Sequence, residues 1–484
     1  MKGKSIKKNV VLNSIKTLMS LVFPLITFPY ASRVLSPSGI GKVNFASSNI
    51  QYFTMIATLG VTGYGIREAS KLRDNRVKLT KFVKEVFLIN VISTVISYLL
   101  LLVSMFLIPK LSGYRLLLCV SGTVILFTTL GMDWLYSAME DFYYITVRSI
   151  VFQLISIGLL FAFVRTKDDV VKYAAIIAFS NVGSNILNFI HSCKYIEWKQ
   201  HITFELKRHM RPIFTLFAVA VTSSIYTMLD TTMLGFLTSD WETGIYTAAT
   251  KVNRLTVSLV TSIGTVFLPR LSYYYGEKSN EKFTELAYKS VSLILLLSAP
   301  SIIGLEILSR PVILLLSGKD YLSAVPAMRM MNPIIMIVGL SNFTGVQLFL
   351  TVGKEKWTLY SDVLGAVVNF SLNYLLIPRY GALGAALASV CAESSVTISQ
   401  LVLARPYIRI KPIIKDIIYY FSLSAVMGVA VLFTYRLFSN FLLQLIIPII
   451  VGVFAYGLML VLTKNDIALS ALTGLKLRLG GKSK

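Results

Sequence analysis

The sequence is poor in the residues that build metal sites, disulfides and catalytic centres. Among 484 residues there are only three cysteines and three histidines. The cysteines form no CxxC pair and lie in or beside apolar stretches, so we interpret them as packing residues. The histidines lack metal-ligand spacing, and we expect them at the inner end of the sixth apolar stretch and in the solvated loop that follows it. The six residues are Cys119, Cys193, Cys391, His191, His201 and His209.

The sequence also lacks a nucleotide-binding motif. The C-terminal run 480–483 imitates part of a phosphate-binding loop, but Lys476 occupies the position of its first glycine. We therefore expect no enzyme, no ATP-driven pump and no cofactor. Coupling of a transport step to H⁺ or Na⁺ stays open.

Charged residues are scarce, and long polar regions are absent. Only 14% of the chain is charged, whereas 55% is hydrophobic. Fourteen apolar stretches follow one another, each near the roughly 20 residues that a helix needs to cross a bilayer. Ten-residue alternating strands are absent, which excludes a transmembrane barrel. We predict an all-α integral membrane protein with spans at 10–31, 43–66, 83–108, 114–137, 145–164, 172–193, 212–236, 245–268, 286–306, 323–350, 357–377, 382–403, 413–435 and 440–463.

Acidic residues are half as common as basic ones, 23 against 47, which gives a formal net charge of +24. If both termini are cytoplasmic, most Lys and Arg fall on the inner side, densely in 67–84, 194–211, 405–415 and 464–484. This asymmetry follows the positive-inside rule and needs no nucleic-acid partner.

Two turns of similar sequence indicate an internal repeat. Residues 32–41 link spans one and two, residues 235–246 link spans seven and eight, and both contain Gly-Ile before a polar-striped helix. The turns at Leu111–Gly113 and Leu316–Gly318 recur at the same offset. A parallel repeat of six helices predicts two pseudo-symmetric lobes around a central cavity. We predict a lobe at 1–210 (helices 1–6), a lobe at 211–405 (helices 7–12), and helices 13 and 14 with a basic cytoplasmic tail at 406–484.

Cationic residues near or inside the spans are the candidate substrate-binding groups. A charge within a span is costly and usually faces water or a partner, and a cavity lined by cations suits an anionic solute. For Arg33 and Lys42 the alternative is snorkelling to the interface, and for Arg148 it is an ion pair with Asp133 or Glu140. The candidates are Lys16, Arg33, Lys42, Arg148, Lys251 and Arg254.

Carboxylates within spans are fewer, and two are candidates for ion coupling. Asp230 lies on the polar face of span seven, and Asp133 lies near the inner end of span four. Asp230 could relay a proton or bind a coupling cation, and it could equally neutralise Arg254.

Five groups of residues along the chain form a recognisable set of motifs: Phe28–Ala46, Leu59–Glu68, Asp133-Trp134 with Glu140, Gly353–Lys356, and Asn369 and Asn373 with Pro378–Ala386. In their order and spacing they resemble the Wzx-type oligosaccharide flippases of the multidrug/oligosaccharidyl-lipid/polysaccharide exporter superfamily. The resemblance implies alternating access and movement of an undecaprenyl-pyrophosphate-linked oligosaccharide to the outer leaflet of a bacterial inner or plasma membrane. It also implies membrane lipids and the polymerase and chain-length enzymes of the polysaccharide pathway as partners.

Three other functions stay open: a peptidoglycan-precursor flippase, an ion-coupled drug exporter and a membrane scaffold that does not transport. Twelve helices are usual in that subfamily, whereas fourteen occur in the peptidoglycan-precursor flippases of the same superfamily. An ion-coupled exporter of cationic drugs would favour acidic groups in its cavity, against the basic bias here. A membrane scaffold would tolerate replacement of the cavity charges.

Overall fold

The structure is a computed structural model that describes residues 6–470, apart from the side chains of residues 6–11, 13, 14, 21, 219, 220 and 222–227. The end of the predicted basic tail, with the Gly480–Ser483 run, lies outside the described residues. Between residues 6 and 470 every regular element is a helix, and there is no strand. The predicted all-α class is confirmed.

Two compact units divide the chain at Thr247 and Ala248. The first contains α1 (Ile6–Thr58), α2 (Val61–Leu72), α3 (Arg76–Leu107), α4 (Pro109–Ser112), α5 (Arg115–Gly131), α6 (Asp133–Ala138), α7 (Phe142–Phe163), α8 (Val170–Ala178), α9 (Asn185–His191) and α10 (Lys207–Leu237). A π-helical turn at Phe179–Gly183 joins α8 to α9. The helix α11 (Asp240–Thr261) begins in the first unit and ends in the second.

The second unit contains α12 (Ile263–Gly276), α13 (Asn280–Leu316), α14 (Ala324–Met331), α15 (Ile334–Asn342), α16 (Glu355–Ala404), α17 (Ile410–Leu437) and α18 (Leu443–Leu462). A π-helical segment at Phe343–Phe349 follows α15. Packing places α10 and the start of α11 in the first unit, whereas the sequence repeat divides the chain after residue 210. The lobe boundaries drawn from the repeat stay a prediction.

All fourteen predicted spans fall on helices. Eleven segments of the described chain are long and apolar enough to cross a membrane. Two of these, 58 residues at Ile15–Leu72 and 50 residues at Glu355–Ala404, each run for more than about 70 Å at 1.5 Å per residue, enough for two crossings. The first is broken at Ser36 (φ 63°, ψ 171°) and again at Leu59–Gly60, where α1 gives way to α2, and the second is broken at Gly381 (φ 53°, ψ −128°). The 31-residue α10 coincides with predicted span seven.

Helices α17 and α18 pack onto α13, so they belong to the second unit. A Cβ on Gly428 of α17 would approach Ile303 of α13 to 2.7 Å, which shows how closely these helices pack. The Tyr456 hydroxyl of α18 donates a hydrogen bond to the Leu296 carbonyl at 3.1 Å. Their packing faces are apolar, and their opposite faces expose large aliphatic residues, as expected for helices beside lipid.

Candidate functional site

The two repeat-related turns pack directly against each other in the first unit. A Cβ on Gly41 would lie 1.7 Å from the Asp240 carbonyl oxygen, and one on Gly244 would lie 1.9 Å from the Pro37 carbonyl oxygen. Only glycine allows backbones to approach this closely. We call this reciprocal packing of residues 36–41 against residues 239–244 the turn contact.

Polar and aromatic side chains surround the turn contact. The Tyr114 hydroxyl donates to the Asp240 carboxylate, and the Lys110 ammonium donates to the Thr238 carbonyl at 3.2 Å. Phe45 of α1 meets Phe236 edge to face, with ring centroids 5.1 Å apart. This end of the first unit is therefore closed by packing between α1, the start of α5 and the α10–α11 turn.

Three of the predicted cations lie on α1. Arg33 and Lys42 flank the break at Ser36, and both side chains are exposed. Arg33 donates from Nη1 to the Pro29 carbonyl at 2.5 Å. Lys16 is half-buried and lies near the start of the helix. The structure places Arg33 and Lys42 beside the turn contact and Lys16 several helical turns away, and their role in substrate binding stays a prediction.

The predicted coupling residue Asp230 is buried, and a tyrosine donates to it. The Tyr246 hydroxyl lies 2.5 Å from Asp230 Oδ2, which links α10 to the first turns of α11. Sequence reasoning missed Tyr246, although it ends the second repeat-related turn.

Lys251 and Arg254 lie further along α11, in the second unit. Three residues apart, they share one side of the helix. Lys251 is half-buried and Arg254 is exposed, whereas Asn253 is buried and donates to the Met328 carbonyl at 3.3 Å. The core of the second unit therefore packs against the Asn253 side of α11, and Arg254 projects from its surface.

Arg148 forms the structural pair that was the alternative to substrate binding. Its Nη2 lies 3.2 Å from Asp133 Oδ1, and its Nη1 donates to the Ser184 carbonyl at 2.9 Å. Asn188 Nδ2 also donates to Asp133 Oδ1, at 2.7 Å. Glu140, the other candidate partner, pairs with Arg73 at 3.2 Å instead. Asp133 and Arg148 thus hold α6, α7 and α9 together, and a role in coupling or substrate contact stays a prediction for both.

A buried charged cluster around Glu85 was not predicted from the sequence. The Glu85 side chain is fully buried, and it accepts from Arg208 Nη2 at 2.5 Å and from the Glu205 backbone N–H at 2.9 Å. His209 Nε2 lies 2.9 Å from the same carboxylate, and the Tyr64 hydroxyl lies 2.7 Å from His209 Nδ1. The prediction of a solvated His209 is therefore wrong. Glu85 is a carboxylate within predicted span three, and that signal could have pointed to a buried partner.

The other two histidines differ from each other. His191 is half-buried and stacks on Tyr144 with ring centroids 4.0 Å apart, whereas His201 is exposed. Within the described chain no group of three or more His, Cys, Asp or Glu side chains is arranged to hold a metal ion.

The described chain is all-α, with many membrane-spanning segments, a pair of repeat turns packed through glycines, and cationic residues on two polar helices. These features are those of a multi-span membrane transporter. The sequence model of the family described as "Polysaccharide biosynthesis protein" matches residues 6–275, more than half of the chain. The chain belongs to that family, and the resemblance read from its motifs is confirmed. A second family model, MatE, matches residues 216–375.

Two known relatives can be aligned with most of this chain and with nearly the whole of their own length. The chain is 24% identical to the "Putative O-antigen transporter" of Escherichia coli K12 over 83% of this chain and 97% of that protein. It is 22% identical to the protein of the same description from Shigella dysenteriae, over 82% and 99% of the two chains. Among solved structures, the lipid II flippase MurJ superposes with a TM-score of 0.74 at 20% identity, over 94% of this chain and 99% of MurJ. The likeness to MurJ establishes the fold of this chain.

Proposed function

We propose that this protein is a flippase that moves undecaprenyl-pyrophosphate-linked oligosaccharide repeat units from the inner to the outer leaflet for surface polysaccharide synthesis. Membership of the polysaccharide biosynthesis family and near-full-length similarity to proteins described as O-antigen transporters support this function. The proposed setting is a bacterial inner or plasma membrane, with both termini cytoplasmic. Polymerase and chain-length enzymes of the same pathway are the proposed partners.

The turn contact is the structural observation that carries the mechanism. With a cytoplasmic N-terminus, residues 36–41 and 239–244 lie on the outer side of the membrane. Alternating access requires an end that closes and reopens, and the backbone packing at Gly41 and Gly244 supplies such a closure. In the proposed cycle the contact separates to release the substrate outward.

The cationic side chains supply the proposed recognition chemistry. A pyrophosphate carries several acceptor oxygens, which arginine can bind bidentately and lysine as a point charge. Arg33 and Lys42 beside the turn contact, and Lys251 and Arg254 on α11, are the proposed contacts. Asp230, with Tyr246 donating to it, is the proposed site of H⁺ or Na⁺ coupling.

Replacing the cations of α11 tests whether they bind the substrate. We expect Lys251→Ala or Arg254→Ala to abolish polymer export at a normal protein level, because each variant removes a cation proposed to bind the pyrophosphate. Lys167→Ala, which alters an exposed cation in the α7–α8 loop, is the matched control and should export normally. Normal export by both α11 variants would remove these residues from the transport path.

The same strains discriminate the alternatives. A drug exporter, which the MatE match favours, would change susceptibility to cationic drugs and leave polymer export intact. A peptidoglycan-precursor flippase, which the fold of MurJ favours, would support growth when the resident precursor flippase is depleted. The flippase proposed here does neither and restores surface polymer.

A further inference from the structure

A cavity in the second unit combines arginines with an aliphatic wall. It has a volume of about 770 Å³ and lies where the end of α13, the start of α14 and the end of α17 converge. Volumes of 300–1,000 Å³ are typical of small-molecule sites. Its lining includes Glu306, Arg310, Arg329, Leu432 and Tyr435.

The lining of this cavity has an excess of positive charge, because two arginines stand against one carboxylate and that carboxylate already has partners. Asn332 Nδ2 donates to Glu306 Oε2 at 2.9 Å, and Arg329 Nε lies 3.7 Å from Glu306 Oε1. Arg310 is exposed and pairs with no carboxylate between residues 6 and 470. One guanidinium is therefore left for an anion from outside the protein, and Arg329 retains its outer nitrogens as further donors.

The cavity also opens onto the apolar surface of α17. Val429, Leu432, Phe433 and Leu437 are exposed on this helix, by 70%, 38%, 65% and 60%. Leu432 belongs both to this apolar face and to the cavity wall. An occupant that places an anionic group beside Arg310 therefore meets an aliphatic surface that continues into the bilayer, which favours an amphiphile over a soluble anion.

We propose that this cavity binds the phosphate headgroup of a membrane lipid, with its acyl or prenyl chain along the exposed face of α17. Arg310 and Arg329 donate to the phosphate oxygens, and Leu432 contacts the first methylenes of the chain. With a cytoplasmic N-terminus, the site faces the outer leaflet, where the positive-inside rule keeps arginine scarce. The site is separate from the cationic residues proposed for transport and does not depend on the identity of the transported substrate.

Binding is measured on the purified full-length protein in detergent by native mass spectrometry, with three probes. Dioleoylphosphatidylglycerol carries both chain and phosphate, dioleoylglycerol carries only the chains, and inorganic phosphate carries only the anion. We expect a bound population with phosphatidylglycerol alone. Equal binding of dioleoylglycerol would overturn the role of the phosphate, and equal binding of inorganic phosphate would overturn the role of the lipid chain.

Variants locate the site. Arg310→Gln should weaken phosphatidylglycerol binding about tenfold, because it removes charge-assisted hydrogen bonds to the phosphate. The residue is exposed and pairs with no described carboxylate, so the variant should fold normally. Arg436→Gln changes an exposed arginine of α17 outside the cavity and is the control. Unchanged binding by Arg310→Gln, or equal loss in both variants, would overturn the proposal.

Discussion

The turn contact allows a test by the addition of a single methyl group. Gly41→Ala would place its Cβ 1.7 Å from the Asp240 carbonyl oxygen, and Gly244→Ala would place its Cβ 1.9 Å from the Pro37 carbonyl oxygen. Ordinary contacts of this kind lie at 3.4–4 Å, so the backbones must separate by roughly 1.5–2 Å. Both neighbours are backbone atoms, which cannot rotate away as a flexible side chain can.

The magnitude follows from the cost of overpacking. Inserting a methyl group into a closely packed contact costs about 1–3 kcal/mol. Alanine also favours a helix over glycine by about 0.5–1 kcal/mol, but this gain applies to the closed and open forms alike. The whole clash therefore acts on the equilibrium between the two forms and shifts it roughly 5- to 150-fold towards separation of the turns.

Cysteine accessibility reports this shift. Thr243 is fully buried next to Gly244, and Thr243→Cys, in a chain whose three native cysteines are replaced, should react with a maleimide only when the contact opens. We expect the labelling rate to rise with either alanine variant, within the range given above. Gly158→Ala is the control, because nothing lies within 4 Å of its new Cβ. Labelling of the Gly41 and Gly244 variants at the rate of the Gly158 control would refute the close-packed closure.

Two further predictions concern stability in detergent. Glu85→Gln should lower the free energy of unfolding by about 3 kcal/mol, because it removes the carboxylate from a fully buried ion-paired cluster. Glu68→Gln, which alters a partly exposed surface pair, should cost under about 1 kcal/mol, and equal losses in a denaturant titration would contradict the buried network. In the α7–α8 loop, the Lys172 ammonium at 2.6 Å and two backbone N–H donors hold the pKa of Asp169 below its usual range. Because folding lowers this pKa, the Asp169 carboxylate stabilises the folded protein above about pH 4, and this stabilisation is lost as the pH falls through the folded-state pKa. The free energy of unfolding of Asp169→Asn should therefore be lower than that of the parent at pH 7 and should approach the parent value in acid.

Hydropathy was sufficient to predict the spans because the bilayer imposes a length and a composition on every crossing. The repeat offset predicted which turns are equivalent, and the structure packs those turns together at Gly41 and Gly244. Their separation by about 200 residues gave no indication of contact, since packing depends on how the helices are brought together.

Side-chain pairing was the least predictable level. Arg148 had two carboxylates in reach at the same end of the spans, and only the folded arrangement of α6, α7 and α9 selects Asp133. His209 looked solvated because its partner Glu85 lies 124 positions earlier in the chain. Local spacing carries no information about such long-range pairs, although the unexplained carboxylate within span three was visible.

The central claim is that this protein transfers lipid-linked oligosaccharide between leaflets. Leaflet-resolved detection of that lipid, in cells lacking the gene and in cells with the gene restored, tests it most directly. We predict that without the protein the lipid-linked repeat unit is made and stays on the cytoplasmic face, and that restoring the gene moves it outward. Normal arrival of the unit at the outer leaflet without the protein would contradict the account.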